Sequence, residues 1–340
     1  MAAFTRETLF VERGIEGLGL PDSVVAPSVV RFDNATKLLS YLERMPWHEA
    51  KRVLMLAKRS GGFVKDFPGG QGTCEPGWHY FIPAIGCPAD CRYCFLQTYH
   101  PSGAPVVFAN AADLLAELEE KLQRSPQGYY YGGELCDNLL LEGYLKIIER
   151  LVALFGRFPA ATLELRTKGA AVDSLVCAGG AENIIVSWTF SPRKVVEEFE
   201  KGTAGFDERI GAAADVQQAG YRVGVRFDPI ILRGRWREGY RELVESLRVH
   251  LDASRVESVH MGCLRYSPAL KAAVMSRFGS SAPFDGEFVR CADGKLRYPR
   301  PLRVAAYREI AKMVRDWSRE IHLRLFMETG AAEAGFSGDA

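Results

Sequence analysis

Between residues 80 and 262, six short runs of strand-forming residues alternate with stretches of helical period, and no other feature limits the fold as much. The runs are Tyr80–Ile85, Tyr129–Tyr131, Thr162–Thr167, Asn183–Phe190, Tyr221–Phe227 and Glu257–Met261. Asn110 offers an N-cap for a helix with Leu114, Leu115, Leu118 and Leu122 on one face. Helices are also expected over Leu141–Phe155, Val172–Cys177 and Arg237–His250. Ser191-Pro192 supplies a cap and a first-turn proline for one more. Parallel strands need crossovers of this kind, so the series predicts an α/β protein with a parallel sheet and outer helices. Right-handed crossovers can wrap six such units into an incomplete barrel, and spacing alone leaves a flat doubly wound sheet open.

The first strand leads into Gly86-Cys87-Pro88-Ala89-Asp90-Cys91-Arg92-Tyr93-Cys94-Phe95. Three thiolates this close fit on one tight loop and can face one metal centre. A [4Fe–4S] cube has four irons, so three local cysteines leave one iron open to a small molecule. A zinc site is the bland alternative, with Cys74, His79 or His100 as fourth ligand, but a second paired C-x2-C unit is missing. Disulfides suit short secreted chains, whereas this one has 340 residues and no apolar signal segment after Met1. A cytoplasmic setting with free thiols is therefore expected. A net charge of +1 gives no global field toward nucleic acid, so any such contact must be a local patch. No apolar stretch approaches the roughly 20 residues of a membrane span.

The C-x3-C-x2-C spacing resembles that of the radical S-adenosylmethionine (SAM) enzymes. Beyond it, Tyr131-Gly132-Gly133-Glu134 ends the second strand, Cys136 follows, and Thr167-Lys168 ends the third. Ser187 lies in the fourth strand, and the runs Phe199–Asp207, Ala219–Gly224, Pro229-Ile230 and Trp236–Tyr240 follow. In order and spacing these segments, over residues 78 to 250, resemble the spore photoproduct lyase family. The resemblance implies a partial (β/α)6 TIM-like barrel with its chemistry at the C-terminal strand ends. It implies a [4Fe–4S] cluster on Cys87, Cys91 and Cys94, with SAM held by Gly132, Gly133, Glu134, Asn138, Lys168 and Ser187. It further implies a 5′-deoxyadenosyl radical that takes hydrogen from C6 of a thymine-dimer photoproduct, whose methylene bridge then breaks. Cys136 would return a hydrogen atom, with Tyr93 beside it in a relay. Two positions depart from the family pattern: Phe95 stands where a second relay tyrosine is found, and Cys291 where the hairpin carries a tyrosine.

Three regions are expected: an N-terminal mixed extension (1–79), the partial barrel (80–262) and a C-terminal region (263–340). The last holds a hairpin, Phe288–Tyr298, with Asp293-Gly294 at its turn. Arg290, Lys295, Arg297 and Tyr298 are candidate DNA contacts, and Arg300 and Arg303 extend the basic stretch. A basic edge that keeps the hairpin from aggregating is the alternative. The expected partners are photoproduct-containing DNA and an electron donor such as flavodoxin or ferredoxin, with the chain itself a monomer. Competing readings are a radical SAM enzyme for another nucleobase or small metabolite, and a non-catalytic zinc or iron–sulfur protein.

Overall fold

The computed structural model describes residues 7–15, 26–67 and 77–328. Six parallel strands lie side by side in chain order: Trp78–Phe81, Tyr129–Gly132, Thr162–Thr167, Ile184–Thr189, Arg222–Ile230 and Val256–Cys263. A doubly wound sheet reverses its order at a switch point, and this sheet does not. Leu323–Leu325 adds a parallel strand at one end and Val64–Asp66 an antiparallel one at the other. Among the described strands these two ends do not pair with each other, so the sheet is open.

One face of the sheet is apolar and the other is not. In the third strand Leu163 and Leu165 are fully buried on the helix side, while Glu164 and Arg166 point the other way. In the fourth, Val186 and Trp188 face the helices and Ser187 the opposite side. Helices Ala111–Arg124 and Trp236–His250 bring Leu114, Leu118, Leu122, Leu243 and Leu247 into the same core. Each such side chain contributes about 1.5–3 kcal/mol on burial. The polar face lacks that contribution and is held by the ion pairs described below.

A second sheet takes Ser28–Phe32, Thr8–Glu12, Val53–Ala57, Val106–Phe108 and Ala84–Ile85, in that order. Segments on both sides of residue 80 thus contribute to both sheets. Four local expectations are corrected. The Tyr80–Ile85 run divides: Trp78–Phe81 joins the main sheet and Ala84–Ile85 the second, because Pro83 between them has no N–H to continue a ladder. The Leu141–Phe155 helix is two helices, Asn138–Leu145 and Ile148–Gly156, separated by Lys146 in the left-handed region at φ 44°. Ser191 caps nothing; its hydroxyl donates to Glu200 Oε1 at 2.8 Å, and Pro192 is the residue before the helix. Asn110 is the N-cap residue by position, yet its side chain bonds Arg59 and Asp113 instead of the helix N–H groups.

Candidate functional site

The three cysteines sit just past the first strand. Gly86 makes the entry turn at φ +84°, where an added Cβ would lie 3.1 Å from Pro105 Cα. Asp90–Cys91 then pairs antiparallel with Glu200–Lys201. Cys87, Cys91 and Cys94 all line one cavity, beside Trp47, Lys51 and Gln97. Burial pushes the Cys87 thiol up to about 12, with the Asp137 charge adding to it, and raises Cys91 further. Among the described residues no three His, Cys, Asp or Glu side chains close on a single-ion point. A four-iron cube does not require that, since each thiolate binds a separate iron. Three cysteines on one cavity fit a cluster better than a zinc ion. Of the proposed fourth zinc ligands, His79 spends both ring nitrogens on Asp66 (2.8 Å) and Ser125 (3.3 Å). His100 Nδ1 bonds Ser102 O at 2.5 Å, and Cys74 lies outside the described residues.

The loop after the second strand packs against its own glycines. A Cβ on Gly132 would stand 2.3 Å from Asn138 Nδ2, and one on Gly133, at φ +98°, 3.0 Å from Arg166 O. Only glycine lets the backbone approach so closely. Asn138 is 1% exposed and its Nδ2 has no hydrogen-bond partner, a buried donor suited to a polar ligand. Its Oδ1 accepts from the Cys136 thiol at 3.3 Å. Burial, together with the charge of Asp137, holds that thiol well above its ordinary value, so Cys136 stays S–H. Glu134 is half-buried, accepting from Tyr131 Oη at 3.3 Å and lying 3.9 Å from Arg166.

Asp137 was not singled out in the sequence, and it fixes the backbone of one residue that was, Lys168. Its carboxylate accepts from Leu140 N (3.0 Å), Thr167 Oγ1 (2.7 Å) and Lys168 N (2.7 Å). One side chain therefore caps the helix that begins with Asn138 and fixes the end of the third strand. The Lys168 ammonium lies 5.7 Å from the Tyr93 ring centre. Burial works against that charge, but Glu200 and Cys91 outweigh it and hold the ammonium above its ordinary value. Tyr93 Oη donates to Glu200, which also accepts from Ser191 and pairs with Arg209 at 2.5 Å. Tyr93 and Cys136 thus stand in separate hydrogen bonds. Phe95 is half exposed, with its ring edge against Tyr99 at 5.9 Å.

Ser187 belongs to a second network that the sequence did not reveal. Glu164, 2% exposed, accepts from Tyr129 Oη (2.9 Å), Arg166 Nη2 (3.0 Å) and Arg226 Nη2 (2.9 Å). Ser187 adds a further hydrogen bond. Burial alone would raise the Glu164 carboxyl, yet Arg166 and Arg226 hold it well below the usual range. Gly224 faces Ser187 across the ladder, where a Cβ would be 2.0 Å from Ser187 Oγ.

The C-terminal hairpin forms as expected, with Val289–Arg290 paired to Leu296–Arg297 and Gly294 at φ +76°. Its candidate contacts divide. Arg290 is exposed and Lys295 is half-buried. Arg297 is 5% exposed and gives two bonds to Asp293 (2.7 and 2.8 Å). Tyr298 is buried, stacked on Phe288 at 4.5 Å, with its hydroxyl accepting from Leu232 N at 3.2 Å. The hairpin's sheet includes Arg265–Tyr266, and Arg265 ties it to Asp228 at the fifth strand's end (2.7 and 3.1 Å).

The spore photoproduct lyase of Clostridium acetobutylicum is 25% identical over 262 residues, 75% of each chain. That of Bacillus subtilis is 30% identical over 179 residues, 52% of each. A crystallised spore photoproduct lyase variant with bound AdoMet and dinucleoside spore photoproduct superposes with a TM-score of 0.79 at 19% identity, covering 94% of this chain and 98% of that one. The fold is the α/β fold of that structure. The family model described as Spore photoproduct lyase matches residues 48–282, well over half of the 340, and the chain belongs to the spore photoproduct lyase family.

Proposed function

We propose that this protein is a radical SAM lyase that opens a thymine-dimer-type photoproduct of DNA. The carrying observation is the convergence of Cys87, Cys91 and Cys94 on one cavity. The six strands in chain order support a partial (β/α)6 barrel whose polar inner face receives the ligands. A [4Fe–4S] cluster on the three cysteines, together with SAM, supplies a 5′-deoxyadenosyl radical when both are bound.

The protein's own part is to hold and orient. Gly132 and Gly133 clear the space, and Asn138 offers its unpartnered Nδ2. Glu134 and Lys168 supply opposite charges toward the ends of SAM, and Ser187 lies below them on the fourth strand. Cys136, protonated by burial, gives a hydrogen atom from Sγ to the carbon radical that remains after the bridge breaks. Exposed Arg290 meets the DNA backbone. The reading extends to a cytoplasmic monomer reduced by a small carrier such as flavodoxin or ferredoxin.

Replacing Cys87, Cys91 or Cys94 singly by Ala is predicted to abolish cluster binding and 5′-deoxyadenosine formation together. Iron content near four per chain with full 5′-deoxyadenosine formation in any of the three variants contradicts the assignment.

A further inference from the structure

Two cations from distant parts of the chain hold the cysteine loop. Lys51 Nζ donates to Cys87 O at 2.7 Å and Ala89 O at 2.8 Å. Arg277 gives Nη2 to both carboxylate oxygens of Asp90, 2.8 Å each, and Nη1 to Gln97 Oε1. Gln97 passes the contact on, donating Nε2 to Cys91 O (3.1 Å) and Arg92 O (2.9 Å). The guanidinium also lies against the rings of Trp47 (4.9 Å) and Phe278 (4.6 Å). Asp90 and Arg277 are 18% and 16% exposed, so water screens this pair far less than a surface one. A planar fork that bonds two partners while stacked on aromatic rings fixes direction as well as distance.

Arg277 lies in the last turn of the helix Pro268–Phe278. Ser267 caps that helix, and Arg265–Tyr266 just before it pairs with Leu296–Arg297 of the hairpin. Fourteen consecutive residues, 265–278, therefore run from the hairpin's sheet to the cysteine loop. No local pattern marks this link, since Asp90 and Arg277 are 187 positions apart.

We propose that Arg277 is a positioning residue for the three-cysteine loop, fixing it to the helix that continues from the hairpin's own sheet. Only the iron-release measurement below rests on the loop holding a cluster. In Arg277→Met, hydrogen exchange over residues 87–97 of the iron-free chain is expected to speed up about tenfold, with the Thr162–Thr167 strand unchanged. After anaerobic loading, iron loss to a chelator is expected to rise about tenfold as well. Asp90→Arg should show the same two defects, and the charge-swapped D90R/R277D chain should recover most of both. Wild-type exchange and iron retention in R277M overturn the proposal, as does a swapped chain no better than either single variant. If R277M loses protection throughout, Asp90→Asn decides, since it leaves the helix intact: loss confined to 87–97 supports the proposal and wild-type protection overturns it. A wild-type chain that takes up no iron tells against the lyase reading instead, and leaves the exchange result standing.

Discussion

Cys136 is buried and protonated, and its sulfur bonds Asn138, a side chain with an unused donor. Cys136→Ala is predicted to leave 5′-deoxyadenosine formation at the wild-type rate. On photoproduct substrate it should yield adducts or stalled chains in place of clean repair, read by chromatography of the products. Clean product at the wild-type rate would make the thiol a packing group. The cysteine triplet and Cys136 were legible because each needs only its near neighbours to be recognised. Glu164 was not, because its partner Arg226 lies 62 positions away and a charged residue within a strand reads locally as a solvent-facing one. Arg297 and Tyr298 illustrate the converse. Their types suggested DNA contacts, while the fold turns both inward onto Asp293, Phe288 and Leu232.

The strands could be read to within a few residues because β-branched and aromatic residues cluster there, as in Ile184–Thr189. The helix after the second strand could not, because one buried side chain divides it. Glu142 accepts from Ile147 N (3.3 Å) and Ile148 N (3.1 Å), capping the next helix after the turn at Lys146. Burial raises its carboxyl from 4.5 to about 7, even though these two backbone donors pull it down. Between those values the folded chain keeps a proton that the unfolded chain releases, so stability falls as pH rises through that window. The favourable contribution is complete below 4.5 and gone above about 7. Glu142→Gln keeps an acceptor for the two N–H groups and cannot ionise. Chemical denaturation should find its stability flat across the window and about 1–3 kcal/mol above the wild type at pH 8. A wild-type slope in the variant would place the titration elsewhere.

At the scale of the molecule, the open sheet presents a polar face, the cysteine loop stands at one strand's end, and the hairpin is anchored nearby through Arg265 and Asp228. Arg290 and Arg300 are exposed, whereas Arg297 is committed to Asp293. R290E/R300E should therefore lower DNA affinity and reduce its salt slope by about two units, without changing iron content or uncoupled SAM cleavage. An unchanged slope would make the hairpin a solvated edge and favour a substrate other than duplex DNA. The most direct test of the whole account is an anaerobic assay with reconstituted cluster, SAM, dithionite and the dinucleotide spore photoproduct. The prediction is conversion of the cross-linked dinucleotide into one with two unlinked thymine bases, dependent on both SAM and the three cysteines. Abundant 5′-deoxyadenosine with the cross-link left intact would contradict it.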